Sequence, residues 1–304
     1  MNALSEQAMA AESAARRIRE IGVVGAGFMG SGIAESAARA GLTVKVYEPE
    51  RAPLERCRAR IAQSVARGVE GGKLAQEEGA ALQERITCAT ELESLHGAEL
   101  VIEAIVEDLT AKRQTFKSLD DAVDDRVILA SNTSSIPIAE LAAATNRPDR
   151  VLGLHFFAPV PVMKLVEVVA ALDTAEAAIS RAVSFVAQLG KTPIRTKDRS
   201  GFIVNMLLVP YLMAAVRMYE DGFASREDID KGMQLGCGHP MGPLALCDFI
   251  GLDVLYSVCD SLYEEFKRAE YAPPPLMKRM VALGHLGRKT GRGFYDYGAE
   301  GRIA

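Results

Sequence analysis

The sequence predicts an α/β fold: a mostly parallel sheet with helices on both faces and a projecting helical hairpin, followed by a separate all-helical domain. Three observations predict it. Short apolar runs alternate with helical stretches between Ile21 and Thr196, the pattern of buried strands joined by helical crossovers. The first apolar run passes through a glycine cluster into a helix and then a second β-rich run, as a βαβ unit does. Beyond Ser200 strand signals stop, and helical segments separated by Gly and Pro take over.

Taken in order, residues 21–24 and 44–47 read as the first two strands, with a helix over 29–40 between them. Residues 51–85 are rich in Ala, Glu, Arg and Gln and break at Gly71-Gly72, which predicts two helices. That excursion is longer than a simple crossover, hence the hairpin. Strands follow at 100–103, 127–131 and 151–155, with a helix over 108–123. Strands at 165–169 and 192–196 flank a helix over 174–189. Helices over 202–219, 226–234, 244–267 and 276–283 complete the chain. The boundary between Lys197 and Gly201 divides it into residues 1–199, of which 1–17 read as a flexible tail, and residues 200–304. Phe294, Tyr295 and Tyr297 read as anchors for the C-terminal segment.

Composition narrows the function. Hydrophobic residues make up 49% of the 304-residue chain and charged residues 25%, a globular rather than a disordered balance. The net charge of −5 argues against a nucleic-acid partner, which calls for a basic face. The five cysteines are scattered without C-x-x-C spacing and suit a reducing compartment. The four histidines show no metal-ligand spacing, so no metal site is expected. The N-terminal stretch lacks an apolar core and mixes Arg with Glu, unlike a signal or transit peptide. The longest apolar run, 203–216, is too short for a membrane span and contains Asn205 and Pro210. A soluble cytoplasmic protein with no membrane partner is expected.

Gly25-Ala26-Gly27-Phe28-Met29-Gly30 matches G-x-G-x-x-G. Alone the pattern is weak, but here it follows a strand and opens a helix inside a βαβ unit, the context of a Rossmann-type dinucleotide site. Gly25 allows the tight turn, Gly27 the approach of a pyrophosphate, and Gly30 close helix–strand packing. The pyrophosphate is expected at the helix N-terminus beside Phe28 and Met29. Glu48, just past the second strand, is placed to accept from adenosine ribose hydroxyls and to repel a 2′-phosphate, favouring NAD over NADP. Arg51 close by keeps NADP open.

Polar residues also sit in apolar strands: Ser131-Asn132-Thr133-Ser134-Ser135 ends one, His155 ends the next, and Glu167 interrupts a third. Asn205 lies in the first helix past the boundary. Each alone also has a structural reading, the favoured one for an isolated buried histidine: a helix cap, a satisfied buried histidine, an ion pair, a kink near Pro210. Oxidation of a secondary alcohol gives them a common purpose. A base must take the hydroxyl proton as hydride departs, and histidine suits that task near neutrality. A carboxylate orients such a histidine, which makes Glu167 the candidate partner of His155. Hydroxyl and amide groups then position the reacting oxygen.

With these motifs in view, the chain from Ile18 onward resembles the short-chain 3-hydroxyacyl-CoA dehydrogenase family. The resemblance is carried by Gly25–Gly30, Val101–Glu107, Ser131–Ser135, His155–Glu167, Ser200–Asn205, His239–Pro243 and Gly291–Tyr297, in that order. It implies NAD-dependent interconversion of an (S)-3-hydroxyacyl-CoA, such as 3-hydroxybutyryl-CoA, and its 3-oxoacyl form. It further implies His155 as general base, Glu167 as its partner, and Ser134 and Asn205 at the reacting oxygen. By the same resemblance Glu107 and Lys112 line the cofactor site, Asn132 lies near the nicotinamide ribose, and Ser64 and Lys73 fall near CoA-contacting positions. A homodimer through the helical domain is also implied. Many family members carry asparagine after His-Phe-Phe, where this chain has Ala158, so a local hydrogen bond from that position is not carried over. The alternatives kept open are a 3-hydroxyadipyl-CoA dehydrogenase, a sugar-acid 3-dehydrogenase acting on L-gulonate, and a non-catalytic dinucleotide-binding protein.

Overall fold

The computed structural model describes residues 17–298, 302 and 303. Of the expected tail over 1–17, all but Arg17 lies outside the described residues. The chain divides into two compact units, Met1–Asp198 and Arg199–Ala304.

The first unit holds an eight-stranded sheet: β1 (Glu20–Val24), β2 (Thr43–Tyr47), β3 (Ile86–Ala89), β4 (Leu100–Glu103), β5 (Ile128–Ser131), β6 (Val151–Phe156), β7 (Leu165–Ala170) and β8 (Thr192–Lys197). Their spatial order is β3-β2-β1-β4-β5-β6-β7-β8. Every neighbouring pair is parallel except β6 and β7, which are antiparallel. The central strands β4, β5 and β6 are buried at every residue, which explains why they read as unbroken apolar runs rather than alternating ones. The order reverses between β1 and β4. The carboxyl ends of those two strands therefore flank a topological switch point, where open α/β sheets hold their ligands.

Helix α1 (Phe28–Arg39) buries Ile33, Ala34, Ala37 and Ala38; the three small alanines let it lie close to the sheet. Helices α2 (Arg51–Glu70) and α3 (Gln76–Glu84) form the hairpin. Leu54, Cys57, Ile61 and Val65, at helical spacing along α2, join Leu82 of α3 in the same core as α1 and β2. Helices α4 (Leu109–Ala122), α5 (Ile138–Ala142) and α6 (Glu176–Gln188) also belong to this unit.

Two elements here differ from the sequence reading. β3 was not foreseen: it has four residues, none fully buried, so it lacks the apolar run that marked its neighbours. The short α5 was also missed, because five residues carry too little periodicity to show.

The second unit contains α7 (Val204–Glu220), α8 (Arg226–Cys237), α9 (Pro243–Ile250), α10 (Leu252–Phe266) and α11 (Pro275–Ala282). The single helix expected over 244–267 is two helices. Gly251 between them has φ +99°, a conformation that ends a right-handed helix and that glycine adopts without strain. Val209, Leu212, Met213, Val216, Leu244, Leu252 and Cys259 form the core of this unit. Phe294, Tyr295 and Tyr297 are buried in it. Asp248 fastens them, accepting the Phe294 and Tyr295 N–H groups and the Tyr297 hydroxyl, each at 2.9 Å. No helix among the described residues is long and apolar enough to cross a membrane.

Candidate active site

The glycine loop leaves β1 at the switch point. Gly25 has φ +102°, and a Cβ there would lie 2.6 Å from the Ala104 carbonyl oxygen, so the turn and the neighbouring strand end both require glycine. A Cβ on Gly30 would come within 1.9 Å of the Gly25 carbonyl oxygen, so a side chain there would force the helix off the loop. At Gly27 a Cβ would meet no protein atom within 4 Å. Protein packing therefore does not demand that glycine, whereas a closely approaching ligand does. The N-terminus of α1 has no side-chain cap and no acidic residue in its first turn, leaving its N–H groups suited to an anion. Glu48 accepts a hydrogen bond from the Ala26 N–H at 3.2 Å, which brings its carboxylate to the loop. Phe28 is exposed, and Met29 packs against the core. These residues fit a dinucleotide.

The antiparallel register of β6 and β7 pairs His155 directly with Glu167. Opposed residues of such a pair emerge on the same face with their Cβ atoms about 4.5–5.5 Å apart. The side chains meet accordingly: His155 Nδ1 lies 2.6 Å from Glu167 Oε2. Glu167 is fully buried and His155 nearly so. In the neutral imidazole, a proton on Nδ1 facing the Glu167 carboxylate leaves Nε2 as the acceptor nitrogen. Nε2 lies 3.1 Å from Ser134 Oγ. Phe157 packs on the imidazole, with ring centroids 4.5 Å apart.

Ser134 is held in turn by a network that runs from a buried core out to Glu107. Glu103, at the end of β4 and fully buried, accepts from Lys112 Nζ at 2.6 Å, from the Ser131 hydroxyl at 2.6 Å and from the Ile105 N–H at 2.7 Å. Lys112, in the first turns of α4, is 1% exposed and also faces Glu107 at 3.3 Å. Glu107 accepts from the Thr133 hydroxyl at 2.6 Å and from the N–H groups of Ser134 and Ser135 at 2.9 and 3.2 Å. Asn132 Oδ1 accepts the Phe156 N–H at 2.9 Å, tying this loop to β6 beside His155. Sequence reasoning gave Glu103 and Thr133 no role of their own. The signal was present for Glu103, an acid embedded in an apolar strand like Glu167.

Burial pushes the Glu107 carboxyl up, but the Lys112 charge, the Thr133 hydroxyl and the Ser134 N–H outweigh it and hold the group below its ordinary 4.5. A carboxyl depressed on folding contributes stability that is fully present above its unfolded value and is lost as pH falls through the lower folded one. The difference in Tm between the wild type and Glu107→Gln is therefore expected to be largest near neutrality and to shrink as pH drops below 4.5. A difference independent of pH would refute this account of the loop.

The remaining expected site residues stand on other elements. Ser64 is half-buried on α2, and Lys73 is exposed in the turn between α2 and α3. Among the described residues neither is bonded to the His155 cluster. Asn205 stands in the first turn of α7, in the second unit.

A loop built for a dinucleotide, with a carboxylate-oriented imidazole on the same sheet, defines the class of nicotinamide-dependent oxidoreductases. Comparison with known proteins narrows it. The model of the 3-hydroxyacyl-CoA dehydrogenase NAD binding domain matches residues 20–199, and that of the family's C-terminal domain matches 201–297. The chain is 54% identical to a 3-hydroxybutyryl-CoA dehydrogenase of Mycobacterium tuberculosis, over 92% of this chain and 99% of that protein. It is 44% identical to the mitochondrial hydroxyacyl-coenzyme A dehydrogenase of Sus scrofa, over 98% and 97% of the two chains. The crystal structure of (S)-3-hydroxybutyryl-CoA dehydrogenase from Ralstonia eutropha superposes with a TM-score of 0.88 at 46% identity, covering 92% of this chain and 99% of that one. The chain belongs to the 3-hydroxyacyl-CoA dehydrogenase family.

Proposed function

We propose that the protein interconverts an (S)-3-hydroxyacyl-CoA and the corresponding 3-oxoacyl-CoA, with NAD as cofactor and a short acyl chain such as 3-hydroxybutyryl. The observation that carries the reading is His155 Nε2 standing 3.1 Å from Ser134 Oγ while Nδ1 is engaged by Glu167. An alcohol oxygen within hydrogen-bond reach of both Nε2 and the Ser134 hydroxyl gives its proton to Nε2 during oxidation. Glu167 keeps Nδ1 protonated and stabilises the imidazolium that forms. In the reverse direction the same imidazolium returns the proton to the carbonyl oxygen. Ser134 donates to that oxygen, and Asn205 is proposed as a second positioning group. The bound cofactor supplies the hydride acceptor or donor.

Gly25, Gly27 and Gly30 with the α1 N-terminus hold the diphosphate in this reading. Glu107, Lys112 and Asn132 line the nicotinamide end, and Ser64 and Lys73 serve the CoA moiety. Glu48 supports NAD over NADP, since its carboxylate stands at the loop and disfavours a 2′-phosphate. Glu48→Ala is accordingly expected to reduce the ratio of kcat/KM with NADH to that with NADPH; an unchanged ratio would remove Glu48 from that role. A homodimer through the second unit is supported by its exposed large apolar side chains, Leu207, Phe223 and Leu235 among them. The five free cysteines suit a reducing cytoplasm.

The test is NADH oxidation with acetoacetyl-CoA beside free acetoacetate. Turnover only with the CoA ester supports the proposal. If NADH binds but neither compound is reduced, short 3-oxoacyl-CoA substrates are rejected in favour of longer or dicarboxylic ones.

A further inference from the structure

We propose that Arg60 is a further dinucleotide-binding residue, which clamps the glycine loop and presents its charge to the cofactor's diphosphate. The inference rests on the dinucleotide reading of that loop. Arg60 belongs to the hairpin helix α2, yet its guanidinium reaches across to the start of α1. Its Nη1 donates to the Gly27 carbonyl at 2.9 Å, to the Ala26 carbonyl at 3.4 Å and to the Ser31 hydroxyl oxygen. Ser31 itself donates to the Gly27 carbonyl at 2.6 Å. Arginine, serine and carbonyl thus close a ring around the first turn of the helix.

Two features turn this clamp into an anion contact. All three bonds use one terminal nitrogen, so the guanidinium fork retains donors on Nη2 and Nε, the bidentate arrangement suited to phosphate oxygens. Moreover, Arg60 is half-buried and forms no ion pair among the described residues. A cation without a carboxylate partner beside an uncapped helix N-terminus raises the local positive potential where an anion docks.

The position also distinguishes the diphosphate from the ribose. Glu48 accepts from the N–H of Ala26, while Arg60 donates to the carbonyl of the same residue. A carboxylate for hydroxyl groups and a cation for phosphates are thus held around one residue of the loop. The Arg60 charge offsets the repulsion Glu48 exerts on a neighbouring diphosphate.

Coenzyme A also carries an adenosine diphosphate, so the test compares ligands. Calorimetric titration of wild type, Arg60→Met and Arg60→Lys would use adenosine, ADP-ribose and CoA. Arg60→Met is expected to weaken ADP-ribose binding about tenfold, the scale of one charge-assisted hydrogen bond, and to leave adenosine binding unchanged. Arg60→Lys, which keeps the charge without the fork, should fall between, and its affinity should retain more salt dependence than that of Arg60→Met. Equal losses for adenosine and ADP-ribose would reduce Arg60 to shaping the loop and overturn the proposal. So would unchanged ADP-ribose affinity in Arg60→Met, or a loss confined to CoA. A wild type that binds no ADP-ribose would refute the dinucleotide reading itself.

Discussion

Replacing His155 by alanine is expected to lower kcat by about two to four decades, the usual range for loss of a general acid–base group, while the Kd for NADH stays close to that of the wild type. The two effects separate because the residues are separate. The glycine loop is shaped by Gly25, Gly30, Arg60 and Glu48, none of which is bonded to the imidazole among the described residues. Alanine also leaves the buried Glu167 carboxylate without the His155 N–H that meets it at 2.6 Å, so some stability is lost as well. His155→Gln retains a donor for Glu167 and serves as the control: it should recover stability but not turnover. Steady-state kinetics together with fluorescence titration of NADH decide the matter. Turnover within a fewfold of wild type in both variants would remove His155 from the chemistry.

Glu167→Gln is expected to reduce kcat by about a hundredfold, within the four decades that loss of an orienting carboxylate can reach. The amide preserves the volume of a fully buried side chain but removes the charge that supports the imidazolium. It also allows the ring to bind with Nδ1 as acceptor and Nε2 protonated, the tautomer that cannot take a proton. KM for the acyl-CoA should change little if Glu167 acts through the imidazole it orients. The double variant His155→Ala/Glu167→Gln should be no slower than His155→Ala alone, because groups that act as a unit lose their function once. Multiplicative losses in the double variant would mean that Glu167 acts independently.

Much of this was legible in residue order. Strands buried on both faces announce themselves as apolar runs, and charged residues inside such runs, Glu167 above all, stand out because burying a charge is unfavourable without a partner. The glycine spacing likewise indicated a dinucleotide site once a strand before it and a helix after it were recognised. β3 escaped notice because an edge strand half open to solvent has no reason to be apolar. The break at Gly251 was hidden because a glycine within an apolar helical pattern reads as tolerated unless its φ is known.

The sequence by itself determined the fold class, the glycine turn between β1 and α1 and the residue types placed in apolar strands, because helix and strand periodicities and turn glycines act over a few neighbouring residues. Only the tertiary structure decided who meets whom. The pairing of His155 with Glu167 depends on the one antiparallel junction in the sheet and on its register, and a slip of one residue would send the two side chains to opposite faces. The Glu103–Lys112–Glu107 relay and the reach of Arg60 to the glycine loop join separate elements in the same way. Such contacts are fixed by how strands and helices pack, a long-range property that no local spacing encodes.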